Sequence, residues 1–144
     1  MIARAPGLSP IRKLVVACLL ALPVSPALAQ ELWQDGQYAH AYDTYLRCYE
    51  RAIETGAAVG ADDQSATDKL FTGAFRSCAP QRAAGTALAL ARISVLKPDY
   101  SPEKREQAVA ASRRALVVLE LQKFLDRKGL GSQFEDHLKR TAEY

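Results

Sequence analysis

The stretch Tyr38-Ala39-His40-Ala41-Tyr42-Asp43-Thr44-Tyr45-Leu46-Arg47-Cys48-Tyr49 decides the fold. Tyr38, Tyr42, Tyr45 and Tyr49, continued by Ile53, recur at steps of four, three, four and four, which places them on one face of a helix. This face predicts a helix from Glu31 to Thr55, and it carries Cys48 between two of its tyrosines. Residues 56–60, Gly-Ala-Ala-Val-Gly, break the pattern. Asp62, Asp63, Ser65 and Thr67 then offer helix caps, and a second helical stretch runs to about Ala79 with Cys78 near its end. The midpoint of the two cysteines falls at residue 63, within that break. A hairpin folded there brings both cysteines to one height, where a bridge needs Cα atoms about 4.4–6.8 Å apart. The echo of Tyr45-x-x-Cys48 in Phe75-x-x-Cys78 reads as two similar faces of that hairpin.

Downstream the pattern stays helical. Pro80 ends or kinks the second stretch. Gln81–Lys97 forms a third, Ala-rich helix whose small residues allow close packing in the interior. Ser101-Pro102-Glu103 starts a fourth, with Ser as N-cap, Pro in the first turn and an acid behind it, running to about Lys128 with Gly129 as its stop. Within it Leu116–Leu121 is apolar almost all round, which predicts contacts on several sides. Ser132 and Glu135 form a capping box for a last short helix through about Ala142. No segment alternates as a strand does. The expected fold is therefore all-α: a small bundle of four to five helices with an N-terminal helical hairpin closed by the Cys48–Cys78 disulfide.

Upstream, residues 1–29 have the organisation of a cleavable signal peptide. Arg4, Arg12 and Lys13 supply a positive start, Leu14–Leu22 is an unbroken apolar run, and Ala27-Leu28-Ala29 is an Ala-x-Ala cleavage site that would leave Gln30 first. The apolar run is half the length of about 20 residues needed to span a bilayer, so a retained transmembrane anchor is not expected. Val15-Val16-Ala17-Cys18 loosely resembles a lipoprotein box, but only four apolar residues would precede Cys18. The domain proper is thus 30–144, and the expected location is periplasmic or secreted, where paired cysteines are the rule.

Removing the leader changes the charge reading. The 144-residue chain has 19 Lys/Arg against 16 Asp/Glu, and all three surplus basic residues lie in the leader. A neutral remainder gives no footprint for nucleic acid. Its charge is unevenly spread: residues 30–79 are acidic on balance, whereas residues 80–144 are basic and carry the doublets Lys104-Arg105, Arg113-Arg114, Arg127-Lys128 and Lys139-Arg140. The halves can attract one another, or the basic half can face an anionic partner.

Catalytic equipment is sparse. There is no nucleophile elbow, phosphate loop, C-x-x-C or H-E-x-x-H motif, and no cofactor is implied. The acids Asp62, Asp63 and Asp68 lack the spacing of a calcium loop and read as helix caps. His40 and His137 read as solvated. A turnover reading would have to use isolated carboxylates such as Glu50, Glu54 or Glu120, and Glu120 is better placed to pair with Lys123 one turn on. Expected function is therefore binding of a protein or envelope component, as an adaptor, inhibitor or chaperone-like factor. The candidate binding residues are Trp33, Tyr38, Tyr42, Tyr45 and Tyr49, with Arg113 and Arg114. The tyrosines have two readings, as core or as an aromatic groove. Gly36-x-Tyr38-x-x-Ala41-x-x-x-Tyr45 also resembles the second helix of a tetratricopeptide repeat, but no second copy follows at the 34-residue period such a fold requires.

Overall fold

A computed structural model describes residues 26–56, 63–141 and 144. Every regular element among them is helical. They are α1 (Pro26–Gln34), α2 (Gly36–His40), α3 (Asp43–Gly56), α4 (Gln64–Ser77), α5 (Ala79–Leu96), α6 (Pro102–Arg127) and α7 (Gly131–Arg140). The positive region of the expected leader and its apolar run lie outside the described residues, as do Asp62 and Ala142.

The expected helix over 31–55 is broken into three. Asp35 ends the first piece and begins the second: its side chain accepts a hydrogen bond from the Tyr38 N–H at 2.8 Å. Asp and Gly at 35–36 favour a cap over a helix interior, because Asp bonds local backbone and Gly costs backbone entropy. The second break, at Ala41-Tyr42, has a tertiary cause. The backbone of α5 comes so close at Gly85 that an added Cβ would lie 2.7 Å from the Ala41 carbonyl oxygen and 2.8 Å from the Tyr42 ring.

α3 is the hub, packing against α4, α5 and α6. That explains its tyrosine-lined face: Tyr45, Tyr49 and Ile53 are at most 1% exposed. Phe71 and Ala74 meet them from α4, Gly85, Ala89 and Ile93 come from α5, and Val117, Leu121 and Leu125 come from α6. Complete burial of a side chain such as Ile53 or Phe71 contributes about 1.5–3 kcal/mol, so this seam carries much of the fold's stability. α7 closes the bundle against α4 and α6, with Phe134 edge-on to Phe71.

Cys48 and Cys78 are bridged, with Cα atoms 5.9 Å apart. The bridge differs from the expected one in two respects. α1 and α2 precede the hairpin, so it is not the N-terminal unit. Cys78 is not inside a helix but is the joint residue between α4 and α5. Pro80 accordingly starts α5, in its first turn, where a missing N–H costs nothing. The disulfide thus pins the α4–α5 corner to the middle of α3.

The start of α6 is as expected: Ser101 accepts from the Lys104 N–H at 3.2 Å, with Pro102 and Glu103 behind it. Its end is a Schellman closure. Leu130 N–H bonds the Leu125 carbonyl at 2.8 Å, Gly129 N–H bonds the Asp126 carbonyl at 3.1 Å, and Gly129 takes φ +73°. Leu116–Leu121 does not bury every side: Val117 and Leu121 are buried, whereas Leu119 is exposed. α5 is likewise interior on one face only, for Leu88 and Val95 are exposed opposite Gly85, Ala89 and Ile93. The capping box at Ser132 does not form. Leu130 occupies the cap position of α7 and Ser132 bonds Gln133, because the Schellman turn consumes the residues that would have opened a cap.

Candidate functional site

The tyrosine ladder is core. Tyr38, Tyr42, Tyr45 and Tyr49 are at most 4% exposed. Their hydroxyls meet different fates. Tyr38 bonds Ser112 of α6, itself fully buried, and Tyr49 bonds the hydroxyl of Tyr144 at 2.8 Å. The hydroxyls of Tyr42 and Tyr45 are buried with no hydrogen-bond partner of good geometry. Burial pushes the pKa of Tyr38, Tyr42 and Tyr45 upward, and is opposed first by a neighbouring hydrogen-bonding side chain, Ser112, Thr86 and Arg82 respectively, and then by the nearby Arg113 guanidinium in all three.

Arg113 and Arg114 reach the ladder at Tyr45. There a partly open notch is lined by Tyr45, Phe75, Arg82, Arg113, Arg114, Val117, Val118 and Tyr144, with room for about one water-sized group. Arg82 is held in place. Its Cζ lies 3.7 Å from the centre of the Phe75 ring and 5.7 Å from that of Tyr45, and its Nη1 donates to the Phe75 carbonyl at 2.9 Å. Arg113 donates to Thr86 Oγ1 at 3.2 Å. Arg114 is exposed at the rim. Among the described residues, Arg82 and Arg113 have no carboxylate partner, whereas Arg92, Arg140, Lys97, Lys123, Lys128 and Lys139 each have one.

Of the expected binding residues, the structure therefore assembles Tyr45, Arg113 and Arg114 in one place. Tyr38, Tyr42 and Tyr49 stand behind them in the core. Trp33, on α1 and 37% exposed, does not line the notch. Sequence reasoning missed Arg82, Phe75 and Tyr144. Arg82 had a usable signal, as a lone cation near the start of an Ala-rich helix. Tyr144 had none, because only folding brings it between Phe75 and Phe134.

Of the carboxylates considered for chemistry, Glu54 and Glu120 are engaged structurally. Glu120 accepts from Lys123 at 2.7 Å, and Glu54 pairs with Lys128 at 3.0 Å. His40 sits exposed beside Asp43. His137 is not solvated but 1% exposed, packed on Phe71, Phe134 and Tyr144, with Nδ1 3.0 Å from Asp68. Asp68 is correspondingly not a helix cap, a task Asp63 performs through the Ser65 N–H. Burial opposes the charge of Asp68, but hydrogen bonds from Arg140, His137 and Gln64 outweigh it and hold the carboxyl below its usual range. This cluster ties α4 to α7. Among the described residues no group of His, Cys, Asp and Glu side chains is arranged to hold a metal ion, and no helix is long and apolar enough to cross a membrane.

The comparisons with known proteins leave the site to be read from its own geometry: no protein-family model, curated protein or solved structure matches the chain.

Proposed function

We propose that this is an exported protein, periplasmic or secreted, that acts by binding an acidic group on a protein or envelope partner. The observation that carries the reading is the Arg82–Arg113 pair, two cations held over an aromatic-walled notch with no carboxylate partner among the described residues. Cations left uncompensated beside a concavity attract an anion from outside and speed its encounter. Export is supported by the positive, apolar and Ala-x-Ala order of residues 1–29, and a Cys48–Cys78 bridge suits an oxidising compartment. α1 begins at Pro26 and so includes the Ala27–Ala29 site, with Leu28 partly packed on the core. Cleavage must therefore occur before this turn folds. Adaptor and inhibitor roles imply one partner, and a chaperone-like role implies many.

Two measurements test this. Intact mass of the protein recovered from its native cell should show Gln30 as first residue and the loss of two hydrogens for the bridge. A photo-crosslinking residue at Val118 should yield a discrete adduct in the cell, and a crosslinker at Leu119 on the neighbouring exposed face should not. A full-length, reduced chain with no adduct at either position would overturn the proposal.

A further inference from the structure

We infer that the notch receives a single carboxylate carried on a small apolar body, with Arg82 and Arg113 as its charged partners. The inference rests on the binding role proposed above and names the chemistry of what binds.

Four observations converge. The first is unused donor capacity. A guanidinium has five N–H donors in a planar fork that fits a carboxylate. The hydrogen bonds to the Phe75 carbonyl and to Thr86 Oγ1 occupy only a fraction of the donors on Arg82 and Arg113. Arg92, by contrast, spends its fork on Asp35, with bonds of 2.9 and 2.7 Å. The second is an orphaned polar atom. Tyr45 is 1% exposed, and its hydroxyl has Arg82 beside it as a donor, at loose geometry, but no acceptor for its own O–H among the described residues. Buried polar groups are normally satisfied, so an O–H without an acceptor, beside two cations with no carboxylate partner among the described residues, marks a place where an acceptor is missing.

The third is size. The notch has room for about one water-sized group. One carboxylate oxygen is that size, so it can enter while the rest of the head and its carbon body stay at the open mouth. The fourth is the wall. Phe75, Val117, Val118 and Tyr144 present an apolar surface around the cations, which suits a carbon body next to the charged head. Arg82 is also held in place by the Phe75 ring and carbonyl, so little side-chain entropy is lost when it engages a ligand.

The experiment is a titration of the oxidised 30–144 protein followed by backbone amide NMR, with phenylacetate as probe. Inorganic phosphate and the neutral 2-phenylethanol serve as comparisons. Expected are saturable shifts centred on Phe75, Val117 and Val118 with phenylacetate, and affinities at least about tenfold weaker for both comparison compounds, as the loss of one charge-assisted hydrogen bond would give. Arg113→Gln removes one cation at little structural cost and should weaken phenylacetate by about tenfold. Arg105→Gln, on the surface beside Pro98, should leave it unchanged. Arg82→Gln should weaken binding as Arg113→Gln does, and a matching amide spectrum away from the notch certifies its fold. Absence of saturable shifts, phosphate binding as tight as phenylacetate, or Arg113→Gln binding like the parent would each overturn the inference. If that happens while the in-cell adduct at Val118 persists, the binding role stands and only the carboxylate chemistry falls. If the adduct is also absent, both fall.

Discussion

Asp35 and Arg92, 57 residues apart, meet in a two-pronged ion pair of 2.9 and 2.7 Å, and the same carboxylate caps α2 through the Tyr38 N–H. One side chain therefore ends α1, starts α2 and fastens both to α5. The Arg92 guanidinium, seconded by the Tyr38 amide, holds the Asp35 carboxyl down at about 2, against 3.8 ordinarily.

A depressed carboxylate contributes stability that is complete above its unfolded pKa and is lost as pH falls through its folded one. For Asp35 the window runs from about pH 4 to about pH 2. Urea midpoints of the parent should drop between pH 5 and pH 2.5. Asp35→Asn should be less stable at pH 5, because it loses the ion pair while keeping a competent cap, and its midpoint should fall less on acidification. Equal falls in parent and variant would show that the pair does not couple to folding.

The Cys48–Cys78 bridge closes 30 residues of chain. In the chain-entropy model a loop of this size stabilises by about 3–4 kcal/mol. Reduction, or the Cys48→Ser/Cys78→Ser double variant, should lower stability by that order in urea titration. Loss should first loosen the α4–α5 corner, visible as faster amide exchange around Ala79–Ala83. Uniform exchange throughout would argue that the bridge acts on the unfolded chain alone.

Two tyrosines in the same ladder should respond in opposite directions to loss of a hydroxyl. Tyr38→Phe breaks a bond to Ser112 and strands that buried serine, at a cost of about 1–3 kcal/mol. Tyr45→Phe removes a buried hydroxyl that has no partner of good geometry and should be neutral or stabilising by up to about 1 kcal/mol. Thermal melts of the two variants beside the parent decide this, and a destabilised Tyr45→Phe would mean that the hydroxyl is satisfied in the free protein.

Glycines in α4 and α5 provide a matched pair. At Gly85 a methyl group would collide with the Ala41 carbonyl and the Tyr42 ring, so Gly85→Ala should destabilise by about 1–3 kcal/mol through backbone displacement. At Gly73, exposed within α4, nothing lies within 4 Å, so Gly73→Ala should stabilise by about 0.5–1 kcal/mol. Denaturant midpoints of the two variants should move in opposite directions.

Much of the bundle was legible from local pattern. The tyrosine spacing put five side chains on one face, and all five are buried there. Ser101-Pro102-Glu103 and Gly129 marked the ends of α6 because caps and left-handed turns are decided within a few residues. Legibility failed where a distant group intervenes. His137 looked solvated in a polar helix, yet Asp68 reaches it from α4 and aromatic rings enclose it. The break at Ala41 depends on the approach of Gly85, 44 positions away. Arg113 and Arg114 were identifiable as a basic doublet, but their meeting with Tyr45 and Arg82 required α3, α5 and α6 to converge.

The amino-acid sequence by itself determined that this chain is helical, where most helices begin and end, and which two cysteines pair, because periodicity, capping and loop closure act over short separations or through the bare count of partners. Only the tertiary structure decided that Asp35 is shared between a cap and Arg92, that Tyr42 and Tyr45 bury hydroxyls without a partner of good geometry, and that two arginines with no carboxylate partner among the described residues overlook one aromatic notch. Those features depend on which helix faces meet and at what distance, and electrostatic and hydrogen-bond energies at a few ångströms are set by that geometry.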